Sequence, residues 1–466
     1  MARGVNATGN QTVAFSYDYF STSSAPGASR EFWAASCFAL LRSRRPPLVA
    51  ADRCIVSWLT LPAGPPSGNQ RSFSKGDGNV KTLWQSSMTR RAPVVFASIF
   101  FALFVGACRA AEPTIPVIDQ RMLQFVAEQQ FSGAVTLVAK EGKIVHLSAV
   151  GLADIEKKTP LTIDDQFSIA SMTKPFTATA FMMLVEEGKA SLDDPVEKYL
   201  PAFAESKTDQ GEPVRGLTIR RLLTHTSGLT GPQGCEVSLA QSVDELAKRP
   251  FTFQPDAKWE YGPSVTVVGR LIEVLSGKTY EEFLAERIFT PLGMKNSTFH
   301  PTAEQLSRIP TLYEPSEDGK SLQAAVRQFA TGQPGEVANP SAGLFSTAGD
   351  LFRFYQMVLN EGEWEGRRLL SAETVRTMTS LQSGDHETGF TPGNGWGLGW
   401  CLVQKPQGVT ESLSPGTCGH GGAFGTEGWI DRQNKTIYIL LIQRGKLPNS
   451  DASDFRKELH RLGKAG

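Results

Sequence analysis

Phe167-Ser168-Ile169-Ala170-Ser171-Met172-Thr173-Lys174-Pro175-Phe176 sets a serine and a lysine three residues apart at a predicted helix entrance. Phe176, Ala180, Met183 and Leu184 continue at helical spacing, and Gly188 supplies a stop. Pro175 has no amide hydrogen, so regular helical bonding cannot extend far ahead of it and Ser171 falls on the leading turn. Residues three apart share a helix face, so the Lys174 nitrogen can reach the Ser171 hydroxyl. A serine hydroxyl is a weak nucleophile at neutral pH. An amine whose pKa is lowered by burial or a cationic neighbour is a base suited to it. The spacing alone arises by chance in a chain of 466 residues, so the rest of the sequence has to decide.

With 40% hydrophobic and 20% charged residues, the chain can bury a substantial core as one large domain or two ordinary ones. The formal net charge of zero conceals an asymmetry. Residues 1–110 carry 12 Lys and Arg against 4 Asp and Glu, which leaves 35 against 43 for residues 111–466. A mildly acidic globular part gives no basis for nucleic-acid binding. The six cysteines are scattered and form no CxxC, and no HExxH is present, so neither a metal site nor an organic cofactor is expected. Cys401 and Cys418 flank one loop; pairing across neighbouring strands in an oxidising compartment and remaining free are both open.

Residues 88–110 read as an export signal. Met88 precedes the positive Thr89-Arg90-Arg91, Ala92 to Ala107 is an uncharged apolar run too short to span a membrane comfortably, and Cys108-Arg109-Ala110 supplies small residues for cleavage. Residues 1–87, rich in Ser, Gly, Pro and Arg without sustained periodicity, read as a disordered extension upstream of the true start. An organelle transit peptide and an uncleaved N-terminal anchor fit the same segment. Val105-Gly106-Ala107-Cys108 also fits a lipoprotein cleavage box, which would leave a lipid anchor on Cys108. Export to the periplasm or medium is the expected destination.

Further along, a helix is expected over Ile118 to Gln129. Two strands, Gly133 to Ala139 and Lys143 to Val150, follow, turned at Glu141-Gly142. His146 reads as a packed or surface strand residue. Leu217 to Gly228 reads as a short helix capped by Thr218, with His225 in the turn that closes it rather than acting as a base. Tyr261 lies on a loop before a helix striped by Val265, Val268, Leu271, Ile272 and Leu275; a phenol there can point into a cleft or simply pack. Thr279-Tyr280-Glu281-Glu282 is a capping box, and Ala348 to Leu359 a helix without chemically distinctive residues. Gly395 to Val403 alternates like one strand. Cys418 to Gly425, Gly428 to Asp431 and the strand Thr436 to Ile442 precede a last helix from Ser453 to Leu462.

Taken together, Phe167 to Lys174, Leu222-Leu223-Thr224-His225-Thr226-Ser227-Gly228-Leu229, Trp259-Glu260-Tyr261, Gly343 to Asp350 and Gly419-His420-Gly421-Gly422 resemble the serine β-lactamase-related superfamily. That group includes class C β-lactamases, low-molecular-weight penicillin-binding proteins and family VIII esterases. The resemblance covers most of residues 113–460, within a domain read as 113–466. It implies an α/β (α+β) fold: an antiparallel sheet flanked by helices, with a largely helical region inserted between Leu200 and about Pro392. It further implies that Ser171 is acylated, that Lys174 and Tyr261 move the proton, and that His420, Gly421 and Gly422 line the substrate. The amides of Ser171 and Ala423 would form the oxyanion hole.

Two positions depart from the lactamase pattern. Pro263 stands where an asparagine usually follows the tyrosine, and His420 where the third motif begins with lysine. Both changes remove groups that recognise a β-lactam amide or its carboxylate, so ester hydrolysis is expected. The alternatives are a β-lactamase, a D-Ala-D-Ala carboxypeptidase, or a non-catalytic binding relative. The partner is a small ester or amide substrate.

Overall fold

The computed structural model describes residues 112–466 apart from 233, 236, 328–335, 389–390 and 448–452. The expected export signal, the 1–87 extension and Cys108 lie outside the described residues.

An eight-stranded antiparallel sheet organises the domain. Its strands in chain order are β1 (Gly133–Lys140), β2 (Lys143–Asp154), β3 (Thr159–Pro160), β4 (Asn394–Trp396), β5 (Cys401–Val403), β6 (Cys418–Gly421), β7 (Glu427–Asp431) and β8 (Thr436–Leu441). In space they run β4-β5-β6-β7-β8-β1-β2-β3, so the pairing of β8 with β1 joins the two ends of the domain at the centre of the sheet. The β1–β2 turn is the expected one: Glu141 and Gly142 both take positive φ, 49° and 80°, as a two-residue hairpin turn with the sheet's twist requires.

The helices used below are α1 (Pro116–Ala127), α2 (Thr173–Glu186), α3 (Ile219–Leu223), α4 (Ser264–Ser276), α5 (Tyr280–Leu284), α6 (Ala348–Leu359) and α7 (Asp454–Ala465). Alternation along β1 splits the core between the two sheet faces. Ala134 and Val138 pack with Phe125 of α1 and with Phe455 and Leu459 of α7. Val135, Leu137 and Ala139 face the larger core that contains Phe176 of α2 and Leu271 of α4. The expected mixed fold is therefore present, with α1 and α7 on one face and the helical region on the other.

Several local expectations hold. Gly277 caps α4 at φ 72°, Thr279 and Glu282 form a reciprocal capping box, and α6 spans the expected residues. His146 is buried, accepting from the Ile115 amide at Nδ1 and lying 2.7 Å from Thr136 Oγ1 at Nε2.

Two expectations are corrected. The helix after Leu217 ends at Leu223, well short of Gly228, and Thr218 makes no side-chain cap; His225 takes φ 59°, which no helix continues through. Gly395 to Val403 is a hairpin rather than one strand, because the chain reverses between β4 and β5 with Gly399 at φ 74°. A Cβ on Gly399 would lie 2.6 Å from Ala178 Cβ, so the turn can nest against α2 only with glycine there. The question left open at Cys401 and Cys418 is decided as well: they form no disulfide with each other. Cys401 is opposite Gly419 and Leu402 opposite Cys418, a one-residue offset that sends the two thiols to opposite sheet faces.

Candidate active site

Residues Phe167–Ser168 pair with Phe345–Ser346, and the Ile169 amide donates to Leu344 O at 3.0 Å, which fixes the approach to Ser171. Ala170 sits at φ 48°, a conformation that costs energy for a residue with a Cβ and that turns the chain sharply. Ser171 lies in the 3₁₀ turn Ala170–Met172, immediately before α2, and remains partly exposed while its neighbours are buried. The expected leading turn is present, in tighter form.

Lys174, in the first turn of α2, is fully buried. Its Nζ donates to Ser171 Oγ at 3.2 Å and to Ser341 O at 2.9 Å, and stands 4.6 Å from the centroid of the Tyr261 ring. Burial pushes its pKa well below the usual lysine range. A neutral amine within hydrogen-bond distance of a serine hydroxyl is what a proton acceptor for that serine requires.

Tyr261 is reached through His225. The Glu260 amide donates to His225 O at 2.9 Å, the Gly262 amide donates to His225 Nδ1 at 3.4 Å, and the imidazole ring lies 4.5 Å from the Tyr261 ring. His225 thus holds the peptide on both sides of Tyr261. Desolvation, together with Lys174 and His420, pushes the His225 pKa well below its ordinary value, so its ring is neutral. Trp396, 5.9 Å from Tyr261 and 5.4 Å from His420, closes the same aromatic wall.

His420 sits in β6 at the edge of this wall, 6.2 Å from Tyr261. Its Nδ1 lies 2.6 Å from Gly421 O; a carbonyl only accepts, so Nδ1 carries the hydrogen. Burial, then Lys174, lowers its pKa to about 3, which leaves Nε2 as an uncharged acceptor without a partner among the described residues. Gly421 ends β6. After it the chain turns: Gly425 donates to Gly422 O at 3.0 Å and Gly422 to Thr426 O at 2.7 Å. Ala423 is the exposed tip of that turn.

Gly422 is where this turn meets the serine. A Cβ on it would lie 2.1 Å from Thr426 Oγ1 and 2.5 Å from Ile169 O, and Thr426 Oγ1 donates to Ile169 O at 3.3 Å. Ser171, Lys174, Tyr261, His420, Gly421, Gly422 and Ala423 are therefore gathered around one site. Pro263, by contrast, serves as the N-cap residue of α4. Ser341 and Trp396 escaped the sequence reading. The Asn339-Pro340-Ser341 turn was the available signal for the first, since Pro340 O and Ser341 O accept from Thr177 and Lys174 of α2. Among the described residues no cluster of His, Cys, Asp and Glu is built to hold a metal ion.

Residues 118–462 match the family model for Beta-lactamase. The chain belongs to the Beta-lactamase family. Its members are serine hydrolases, esterases and penicillin-binding proteins among them. Penicillin-binding protein 4 of Amycolatopsis lactamdurans is 31% identical over 349 residues, covering 71% of this chain and 86% of its own. Esterase EstB of Burkholderia gladioli is 27% identical over 357 residues, covering 70% and 89%. The solved structure of EstCE1, described as a hydrolase with promiscuous acyltransferase activity, superposes with a TM-score of 0.65 at 21% identity, over 74% of this chain and 97% of that one. At that identity the likeness concerns the fold. This Beta-lactamase family domain has no helix among its described residues long and apolar enough to cross a membrane.

Proposed function

We propose that the protein is an exported serine hydrolase that cleaves carboxylic esters through an acyl-enzyme on Ser171. The observation that carries this reading is the buried Lys174 amine 3.2 Å from Ser171 Oγ, with its pKa pushed well down by burial. Ser171 Oγ adds to the ester carbonyl carbon as its proton passes to Lys174, with the Tyr261 ring beside the amine. The carbonyl π electrons move onto oxygen, and the amides of Ser171 and Ala423 stabilise that oxyanion. Collapse breaks the bond to the alkoxide, which takes the proton from Lys174. Water then repeats the sequence on the acyl-enzyme and releases the acid.

The preference for esters rests on what the two departing positions offer. His420 is neutral and presents an acceptor, and Pro263 has no side-chain amide, so neither offers the cation or amide that would hold a β-lactam carboxylate or amide. A β-lactamase or D-Ala-D-Ala carboxypeptidase would use the same three residues, and the 31% identity to a penicillin-binding protein supports that second reading.

A short-chain nitrophenyl ester and a chromogenic cephalosporin separate the two. Ester turnover that Ser171→Ala abolishes, by about a thousandfold or more, with the cephalosporin untouched, is the expected result. Equal ester rates in wild type and Ser171→Ala would overturn the mechanism, and cephalosporin turnover would move the assignment to the second reading.

A further inference from the structure

Against the Gly422–Gly425 turn, three charged or titratable side chains are buried together: Glu427 of β7 and Arg456 and His460 of α7. None of them belongs to the proposed proton-transfer pair. Arg456 Nη2 donates to Thr426 O and, at 3.3 Å, to Gly422 O. These two carbonyls are the ends of the turn that displays Ala423, because Gly422 O also receives the Gly425 amide and Thr426 O the Gly422 amide. A single guanidinium therefore grips the base of the turn from behind.

The guanidinium is itself held. Its Nε is 3.8 Å from Glu427 Oε2, which also accepts from Trp429 Nε1 at 2.8 Å, while His460 Nε2 stands 3.1 Å from Glu427 Oε1. Burial alone would raise the Glu427 pKa, but His460, Arg456 and the Trp429 hydrogen bond outweigh it and keep the carboxylate ionised. A planar cation with several donors, locked against a carboxylate, is suited to fixing two carbonyls at once.

We propose that Arg456, braced by Glu427 and His460, is a positioning residue that sets the Gly422–Thr426 turn so that the Ala423 amide meets the oxyanion formed on Ser171 acylation. The inference rests on the acyl-enzyme reading above and adds to it a residue 30 positions beyond the end of the turn. Arg456 touches no substrate. It acts through the two carbonyls, and a shift of the turn by a fraction of an ångström weakens a bond that matters only once charge has developed on the carbonyl oxygen.

The test uses the full chain with Arg456→Lys, which keeps a cation beside Glu427 but removes the planar two-carbonyl grip, and the double variant Arg456→Met/Glu427→Gln, which removes both charges together. Ester kinetics, thermal unfolding and the affinity of a trifluoromethyl ketone, which forms a tetrahedral oxyanion on the serine, are measured for each. Expected is a kcat lowered about tenfold to a hundredfold with KM within threefold, and ketone affinity lowered by the same factor as kcat/KM. Arg456→Lys alone decides if the double variant does not fold. Unchanged kcat in a folded variant, a rise confined to KM, or ketone affinity that fails to follow kcat/KM overturns the proposal. Labelling by a fluorophosphonate keeps the two readings apart: a wild type that is not labelled rejects the acyl-enzyme itself, whereas a labelled wild type with variants equal to it rejects only the role of Arg456.

Discussion

Two long cationic side chains are sealed inside this domain beside the proposed chemistry, Lys174 behind Ser171 and Arg456 behind Gly422, and their surroundings differ in kind. Lys174 meets a hydroxyl, a backbone carbonyl and the face of a phenol ring, and burial drives it towards the neutral amine. Arg456 meets two carbonyls with a carboxylate at 3.8 Å. A lysine stripped of its charge becomes a base, whereas a guanidinium keeps its proton at any physiological pH and serves as a fixed donor. The residue proposed to exchange a proton and the residue proposed to keep its own thus differ both in type and in the polarity built around them.

The strongest challenge to this contrast is Lys174→Met. Loss of the base should lower kcat/KM about a thousandfold, while thermal stability rises. The folded pKa lies below the unfolded value of 10.5, so below pH 10.5 the unfolded chain holds a proton that the folded one lacks. Wild-type stability therefore declines as pH falls towards the folded pKa, and the advantage of the variant should be larger at pH 6 than at pH 9. Unfolding temperatures with a constant gap, or a less stable variant throughout, would show that the amine is not held neutral.

A smaller effect is expected at the contact between the two sides. Gly422→Ala sets a Cβ against Ile169 O and Thr426 Oγ1. It should cost about 1–3 kcal/mol of stability and about tenfold in kcat, read by denaturant unfolding and ester kinetics. Gly349→Ala in α6, where an added Cβ meets nothing within 4 Å, is the control: it should leave kcat unchanged and stability equal to or up to about 1 kcal/mol above wild type. Comparable losses in the two variants would remove the argument for close approach at Gly422.

The mildest test concerns His420. Its folded pKa of about 3 lies below the ordinary 6.5, so it contributes stability near neutrality that is lost as pH falls from 6.5 towards 3. Between pH 7 and pH 4.5 wild type should lose about 2 kcal/mol more than His420→Asn. Parallel losses would mean that His420 is protonated inside the fold.

Much of the architecture was legible because it is encoded over a few residues. Glu141-Gly142 needs two positive φ angles, Thr279 and Glu282 cap each other, and the Ser171–Lys174 spacing is a property of one helical turn. The errors arose where a local pattern met a tertiary constraint. Gly395 to Val403 alternates as a strand would, yet α2 leaves room only for a glycine turn at Gly399. Whether Cys401 and Cys418 pair was left open by the sequence, and a one-residue register offset, which no local pattern encodes, decides it by sending their thiols to opposite faces.

By itself the sequence determined which residues carry reactive groups and which short segments turn, cap or alternate, since those depend on side-chain chemistry and on φ preferences within a few positions. Only the tertiary structure decided what those groups are surrounded by. Ser341, whose carbonyl accepts from Lys174, is 167 positions away along the chain, and Arg456 lies 34 positions beyond Gly422. Desolvation and hydrogen-bond partners are properties of the packed neighbourhood, and that is where the Lys174 pKa is driven down and Arg456 keeps its grip on the turn.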